Sequence, residues 1–156
     1  MALILIVDDD EAIRNNLYEL LSEHYICQTA ETAEKALARL KTDPYDVVLT
    51  DISMPGLSGL ELLGHIRQRY SDTPVIIISG IGDPEHAQGL LRLGAFDFLL
   101  KPFSLEMVEK SVRRAVEYRL ELLETSALAA AQVSNREEKL DEPGEWKIVR
   151  NNLTDS

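Results

Sequence analysis

The chain has one cysteine, three histidines and no long apolar run, and each shortage closes off a class of function. Cys27 has no second thiol to pair with. With no signal-peptide pattern, this points to a reducing cytoplasm. Cys27 lies in the apolar stretch Tyr25-Ile26-Cys27, where a small core residue is expected. His24, His65 and His86 are single and widely spaced, so no zinc site is readable and each is expected to be structural or solvated. The longest apolar runs, such as Val75-Ile76-Ile77-Ile78, fall far short of the roughly 20 residues a bilayer-spanning helix needs. Basic residues are also scarce: 16 Lys and Arg stand against 27 Asp and Glu, for a formal net charge of −11. Such a surface repels nucleic acid. The one basic doublet, Arg113-Arg114, reads as a solvated helix face. Neither direct nucleic-acid binding nor membrane association is expected.

What the chain does have is an ordinary globular composition, 45% hydrophobic and 28% charged over 156 residues, enough for one domain and an appendage. Leu3 to Val7 is apolar without alternation, the pattern of a strand covered on both faces. Ile13, Leu17, Leu20 and Leu21 recur at helical spacing and predict a helix over about 11–23. A short strand follows at Ile26 to Thr29, then a helix over Glu31 to Lys41 that ends near Asp43-Pro44. Tyr45 to Thr50 reads as a third strand. Asp51 to Ser58 is a loop with Pro55 and Gly56, and Leu60, Leu63 and Ile66 mark a third helix. Pro74 to Ser79 is the most strand-like segment, with Gly80 and Gly82 loosening the chain just after it. A short helix is expected from Pro84 to Leu93 and a fifth strand from Asp97 to Leu100. Ser104 is a candidate N-cap for a long last helix bearing Leu105, Val108, Val112 and Val116. Five strands alternating with five helices indicate an α/β fold, a doubly wound parallel sheet covered on both sides.

Beyond about Leu123 the character changes. Glu124 to Val133 is rich in alanine, Ser134 to Ser156 is polar, and Pro143-Gly144 breaks any helix there. Val116, Leu120, Leu123, Ala127 and Ala130 keep a spacing of alternately four and three, a heptad seam barely two heptads long. A helical extension to roughly Asn135 is expected, with a partly disordered polar end. Such a seam supports at most a weak dimer.

Three strands end in the same kind of chemistry: Leu5-Ile6-Val7-Asp8-Asp9, Val47-Val48-Leu49-Thr50-Asp51 and Phe98-Leu99-Leu100-Lys101-Pro102. In a parallel sheet all these charges meet at one edge, where open α/β sheets bind ligands. Three carboxylates and a lysine suit a hard cation and a phosphate. A carboxylate can act as nucleophile, two others can hold Mg²⁺, and a lysine offsets phosphoryl charge. Asp10, a fourth acid, reads as the N-cap of the first helix.

On these residues the chain resembles the receiver domain of two-component response regulators, over residues 1 to about 122. The resemblance rests on Val7-Asp8-Asp9, Thr50-Asp51-Ile52-Ser53-Met54-Pro55-Gly56, Ser79-Gly80, Phe98 and Lys101-Pro102-Phe103, in matching order and spacing. It implies a flavodoxin-like sheet of order 2-1-3-4-5, with residues 123–156 as a helical extension or linker and polar tail. It also implies that Asp51 accepts a phosphoryl group, and that Asp8, Asp9 and Asp51 hold Mg²⁺ (or Mn²⁺), Asp9 directly and Asp8 partly through water. The Ser53 backbone carbonyl would be a further ligand. Lys101 would pair with phosphoryl oxygens, next to a cis Lys101-Pro102 bond. Ser79 stands where the family has the Thr or Ser that hydrogen-bonds the phosphoryl group, and Phe98 stands at the aromatic switch, without the hydroxyl a Tyr would carry. The implied partner is a sensor histidine kinase or a phosphotransfer protein. The implied role is a phosphorelay switch that catalyses only its own phosphorylation and dephosphorylation.

Two other readings compete. A haloacid-dehalogenase-like phosphatase would use Asp8 and Asp10 as nucleophile and acid, with Ser79 and Lys101 as later motifs. It expects Thr or Val where Ala12 stands and a further acidic pair on a strand, and it leaves Asp51 without a role. A pseudo-receiver, a purely protein-binding module, would be expected to lose the acids or the lysine, and all are present. No DNA-binding helix-turn-helix follows residue 122. The helix leaving the domain favours a front piece of a longer protein over a stand-alone receiver.

Overall fold

A computed structural model describes residues 1–80 and 84–140. The elements alternate as β1 (Leu3–Val7), α1 (Glu11–Leu21), β2 (Ile26–Ala30), α2 (Ala33–Thr42), β3 (Val47–Asp51), α3 (Gly59–Arg69), β4 (Val75–Ser79), α4 (Pro84–Arg92), β5 (Asp97–Leu100) and α5 (Leu105–Leu140). All strand pairs are parallel and the sheet runs β2-β1-β3-β4-β5, the predicted order. Chain contacts divide the molecule into two units, Met1–Arg119 and Leu120–Ser156.

Alternation along each strand sends side chains to two separate cores. Leu5, Val7, Val48, Val75 and Ile77 pack with Ala36 and Leu40 of α2 and with Leu62, Leu63 and Ile66 of α3. Ile4, Ile6, Val47, Leu49, Ile76 and Ile78 pack with Leu17 and Leu21 of α1 and with Val108, Val112 and Ala115 of α5. Both faces of the central strands are covered, which is why they read as unbroken apolar runs. Cys27 is buried in the second core, as expected.

Several boundaries shift for identifiable reasons. α2 begins at Ala33 rather than Glu31, because the Thr32 side chain accepts the Lys35 N–H at 3.1 Å and caps the helix. α1 stops at Leu21, where the Ser22 N–H closes on the Tyr18 carbonyl. β3 starts at Val47 rather than Tyr45, although the Asp46 N–H still donates to the Leu3 carbonyl of β1 at 2.8 Å. Asp46 accepts the Leu3 N–H (2.8 Å) and Arg119 Nε (2.9 Å), and the Tyr45 carbonyl accepts the Thr73 hydroxyl. Asp10 and Ser104 cap α1 and α5 as read from the sequence. α5 passes the expected end near Asn135 and runs to Leu140. Gly82 and the segment 141–156, Pro143-Gly144 included, lie outside the described residues. In the second unit Leu120, Leu123, Ala127 and Ala130 are all exposed. No helix among the described residues is long and apolar enough to cross a membrane.

One contact fixes the start of α3 against the end of β3. A Cβ at Gly59 would lie 2.1 Å from the Asp51 carbonyl oxygen and 2.7 Å from Ile52 Cα, both backbone atoms. Only glycine permits that approach. Gly64, in the same helix, has nothing within 4 Å of its hypothetical Cβ. Gly59→Ala is therefore expected to destabilise the protein by about 3 kcal/mol, and Gly64→Ala to stabilise it by roughly 0.5–1 kcal/mol. Urea unfolding of the two variants checks this. Similar midpoints for both would refute the contact.

Candidate functional site

Sheet register assembles the site. Val7 lies opposite Thr50, so the next residues, Asp8 and Asp51, are neighbours at the carboxyl edge. Asp51 lies opposite Ile78, and the following Ser79 lies opposite Leu100, which delivers Lys101. Each charged side chain thus sits at the end of an apolar strand held in register, because a slip of one residue would exchange the side chains fitted into the two cores.

Asp8 and Asp51 are buried and Asp9 is exposed; one oxygen from each carboxylate lies within 4.8 Å of the others. Lys101 Nζ sits 3.1 Å from Asp51 Oδ1 and 3.7 Å from Asp8 Oδ2. The Asp10 N–H donates to Asp8 Oδ1 at 2.9 Å. Asp8 Oδ2 has no hydrogen-bond partner among the described residues, although it is buried. Three carboxylates against one ammonium leave the edge with negative charge in excess. An orphaned carboxylate oxygen beside two more is the donor set a hard divalent cation such as Mg²⁺ takes. Arg14, to which no sequence motif points, donates to the Asp8 carbonyl at 2.8 Å and ties the β1–α1 turn to the first helix. A cation near a helix's amino end runs against the dipole, the one signal that could have singled it out.

Burial pushes the Asp8 carboxyl up to about 6, with Asp51 and Asp9 adding repulsion; the Asp10 N–H and Lys101 oppose the shift. Ser79 is fully buried at the end of β4, and its carbonyl accepts the Lys101 N–H at 2.8 Å. The Lys101–Pro102 peptide is cis. Ser53 is exposed, two residues beyond Asp51. Phe98 stands apart from the acids, half-buried in β5, with the His86 ring edge-on at 6.0 Å. Its N–H donates to Asp97, whose other oxygen accepts the Ser111 hydroxyl of α5 at 2.6 Å.

The chain is similar to known proteins. The family model described as "Response regulator receiver domain" matches residues 4–113, and the chain belongs to that family. It is 38% identical over 136 residues to the C4-dicarboxylate transport transcriptional regulatory protein DctD of Pseudomonas aeruginosa, covering 86% of this chain and 29% of that one. It is 39% identical over 117 residues to the DNA-binding transcriptional regulator NtrC of Salmonella typhimurium, covering 74% and 25%. The chain thus spans under a third of these relatives' length. A solved response regulator receiver domain protein from Clostridium thermocellum superposes with a TM-score of 0.72 at 32% identity, covering 79% of this chain and 99% of that one. Phosphoryl acceptance is the standard function of this family. Its members are signalling switches that bind Mg²⁺ at an acidic pocket and interact with histidine kinases or phosphotransfer proteins.

The raised Asp8 carboxyl has a thermodynamic consequence. Between the ordinary aspartate value near 4 and about 6, the folded chain holds a proton that the unfolded chain has lost. The metal-free protein therefore loses stability as pH rises through that window, by on the order of 2 kcal/mol from this group. In Asp8→Asn that loss is expected to vanish, so its urea-unfolding free energy between pH 4.5 and 7 should be flatter than the parent's by about that amount. Parallel curves would show that burial does not perturb Asp8.

Proposed function

We propose that this chain takes a phosphoryl group from a phosphohistidine onto Asp51, in a Mg²⁺-dependent reaction. The observation that carries the proposal is the Lys101–Asp51 approach of 3.1 Å beside a buried Asp8 oxygen that accepts no hydrogen bond among the described residues. Asp8, Asp9 and Asp51, with the Ser53 carbonyl, are assigned to hold the cation, which when bound would offset the charge of the carboxylates and of the incoming phosphoryl oxygens. Lys101 holds Asp51 Oδ1 and leaves the other oxygen for attack. The new O–P bond forms as the P–N bond to the donor imidazole breaks, and that imidazole leaves with its electron pair. Lys101 then pairs with a phosphoryl oxygen and Ser79 donates its hydroxyl to another.

The switch arises from those contacts. Drawing Ser79 towards phosphorylated Asp51 makes room beside β4, and Phe98 turns inward from its packing on His86. This population shift remodels α4, β5 and the first turns of α5. The receiver is taken to span residues 1–122, with 123–156 a helical extension or linker and polar tail. The exposed seam of Leu120, Leu123, Ala127 and Ala130 is assigned to a weak dimer that phosphorylation tightens. Small alanines and a short seam hold the affinity down.

Two experiments test the chemistry. Treated with acetyl phosphate and Mg²⁺, the parent is expected to gain one phosphate by intact-mass measurement and Asp51→Asn none. Equal labelling of the variant would overturn the assignment of Asp51. Saturating Mg²⁺ is expected to raise the melting temperature of the parent by on the order of 5 °C, through binding to the folded state. Asp9→Ala is expected to lose that response while melting no lower than the parent without metal, since it removes like-charge repulsion. A metal response surviving in Asp9→Ala would exclude Asp9 as a direct ligand.

A further inference from the structure

The segment after Asp51 has few ties of its own. Ile52 is fixed at both backbone groups, its N–H to the Ile78 carbonyl and its carbonyl to the Gly59 N–H, each at 3.0 Å. At the far end Ser58 caps α3 by accepting the Glu61 N–H at 3.1 Å, and Met54 drops its side chain into the core. Between these anchors the backbone meets one side chain from a distant element. Glu34, in the first turn of α2, accepts the Leu57 N–H on Oε1 at 2.8 Å, across 23 residues of sequence. Gly56 has φ +77°, and a Cβ there would lie 2.8 Å from the same Glu34 oxygen, so the loop backbone lies directly against the carboxylate. Glu34 has no cationic partner within 4.0 Å among the described residues, whereas nearby Glu31 is paired with Lys35. The Leu57 N–H, first among the causes, holds the Glu34 carboxyl below the usual range, consistent with a preference for the charged acceptor.

We propose that Glu34 is a positioning residue for the metal site: by holding the Leu57 N–H, it sets the loop on which Ser53 presents its carbonyl. This rests on the reading of Asp8, Asp9, Asp51 and Ser53 as the cation's ligands. A carbonyl ligand contributes fully only if its backbone is already ordered, because otherwise binding carries the cost of ordering it. Glu34 supplies that order from outside the acidic cluster. It never touches the cation, and α2 thereby gains an influence on metal affinity.

The test uses the full chain, with Mg²⁺ as the probe. Amide exchange at Leu57 is measured in the metal-free protein, and Mg²⁺ affinity is measured by titration followed through amide shifts near Asp51. Glu34→Ala is expected to speed Leu57 exchange and to weaken Mg²⁺ binding by roughly three- to tenfold, the scale of one lost hydrogen bond. Glu34→Gln keeps an acceptor oxygen without the charge and is expected to recover most of both. Asp9→Ala is expected to lose Mg²⁺ while leaving Leu57 exchange unchanged. Unaltered Mg²⁺ affinity in Glu34→Ala would overturn the proposal. So would Glu34→Gln as weak as Glu34→Ala, because that pattern belongs to a long-range effect of charge. A parent chain that takes up no Mg²⁺ at all would instead bring down the metal reading itself, and this inference with it.

Discussion

Like charges do not gather unless something else holds them, and here the hydrogen-bonded register of a parallel sheet does the holding. The neighbouring strand ends of β1 and β3 bring Asp8 and Asp51 together, and the buried apolar faces of those strands forbid the slip that would separate them. The repulsion is partly relieved by Lys101 from the edge strand β5, which reaches Asp51 and, at longer range, Asp8. What it leaves unrelieved is visible in the raised Asp8 carboxyl and in the Asp8 oxygen that accepts no hydrogen bond among the described residues. The free energy of the two hydrophobic layers thus maintains an electrostatically unfavourable edge, and that edge is poised for a cation and an anion together.

The same residues show why much of the site could be read from the chain. Apolar runs that stop abruptly at Asp8, Asp51 and Lys101 are a local signal, since strand burial and strand end are both written in consecutive residues. Caps at Asp10 and Ser104 are local too, a side-chain oxygen two or three residues from the N–H it satisfies. Boundaries failed where a short-range competitor intervened, as at Thr32, or where a residue's partners lie far away in sequence. Asp46 is of that second kind. Its partners Leu3 and Arg119 are 43 and 73 residues away, and no periodicity announces them.

Contacts of that long-range kind also explain what could not be read at the site. Arg14 on the Asp8 carbonyl and Glu34 on the Leu57 N–H both join a side chain to a distant or differently directed backbone group. Sequence spacing carries information about faces of helices and strands, but almost none about which loop comes to rest against which helix. That Asp8, Asp9, Asp51 and Lys101 meet at one edge was therefore legible, and the side chains that bond to the backbone around them were not.

The order in which the strands are added along the chain gives the assembly a temporal property. Asp8, Asp9 and Asp51 are all made before Lys101, and Lys101 follows β5, the last strand among the described residues and an edge strand that pairs there with β4. A nascent chain that has not yet added β5 carries the full acidic load with no ammonium to match it. A balance of charge at this edge therefore arrives only with β5, after all three acids are in place.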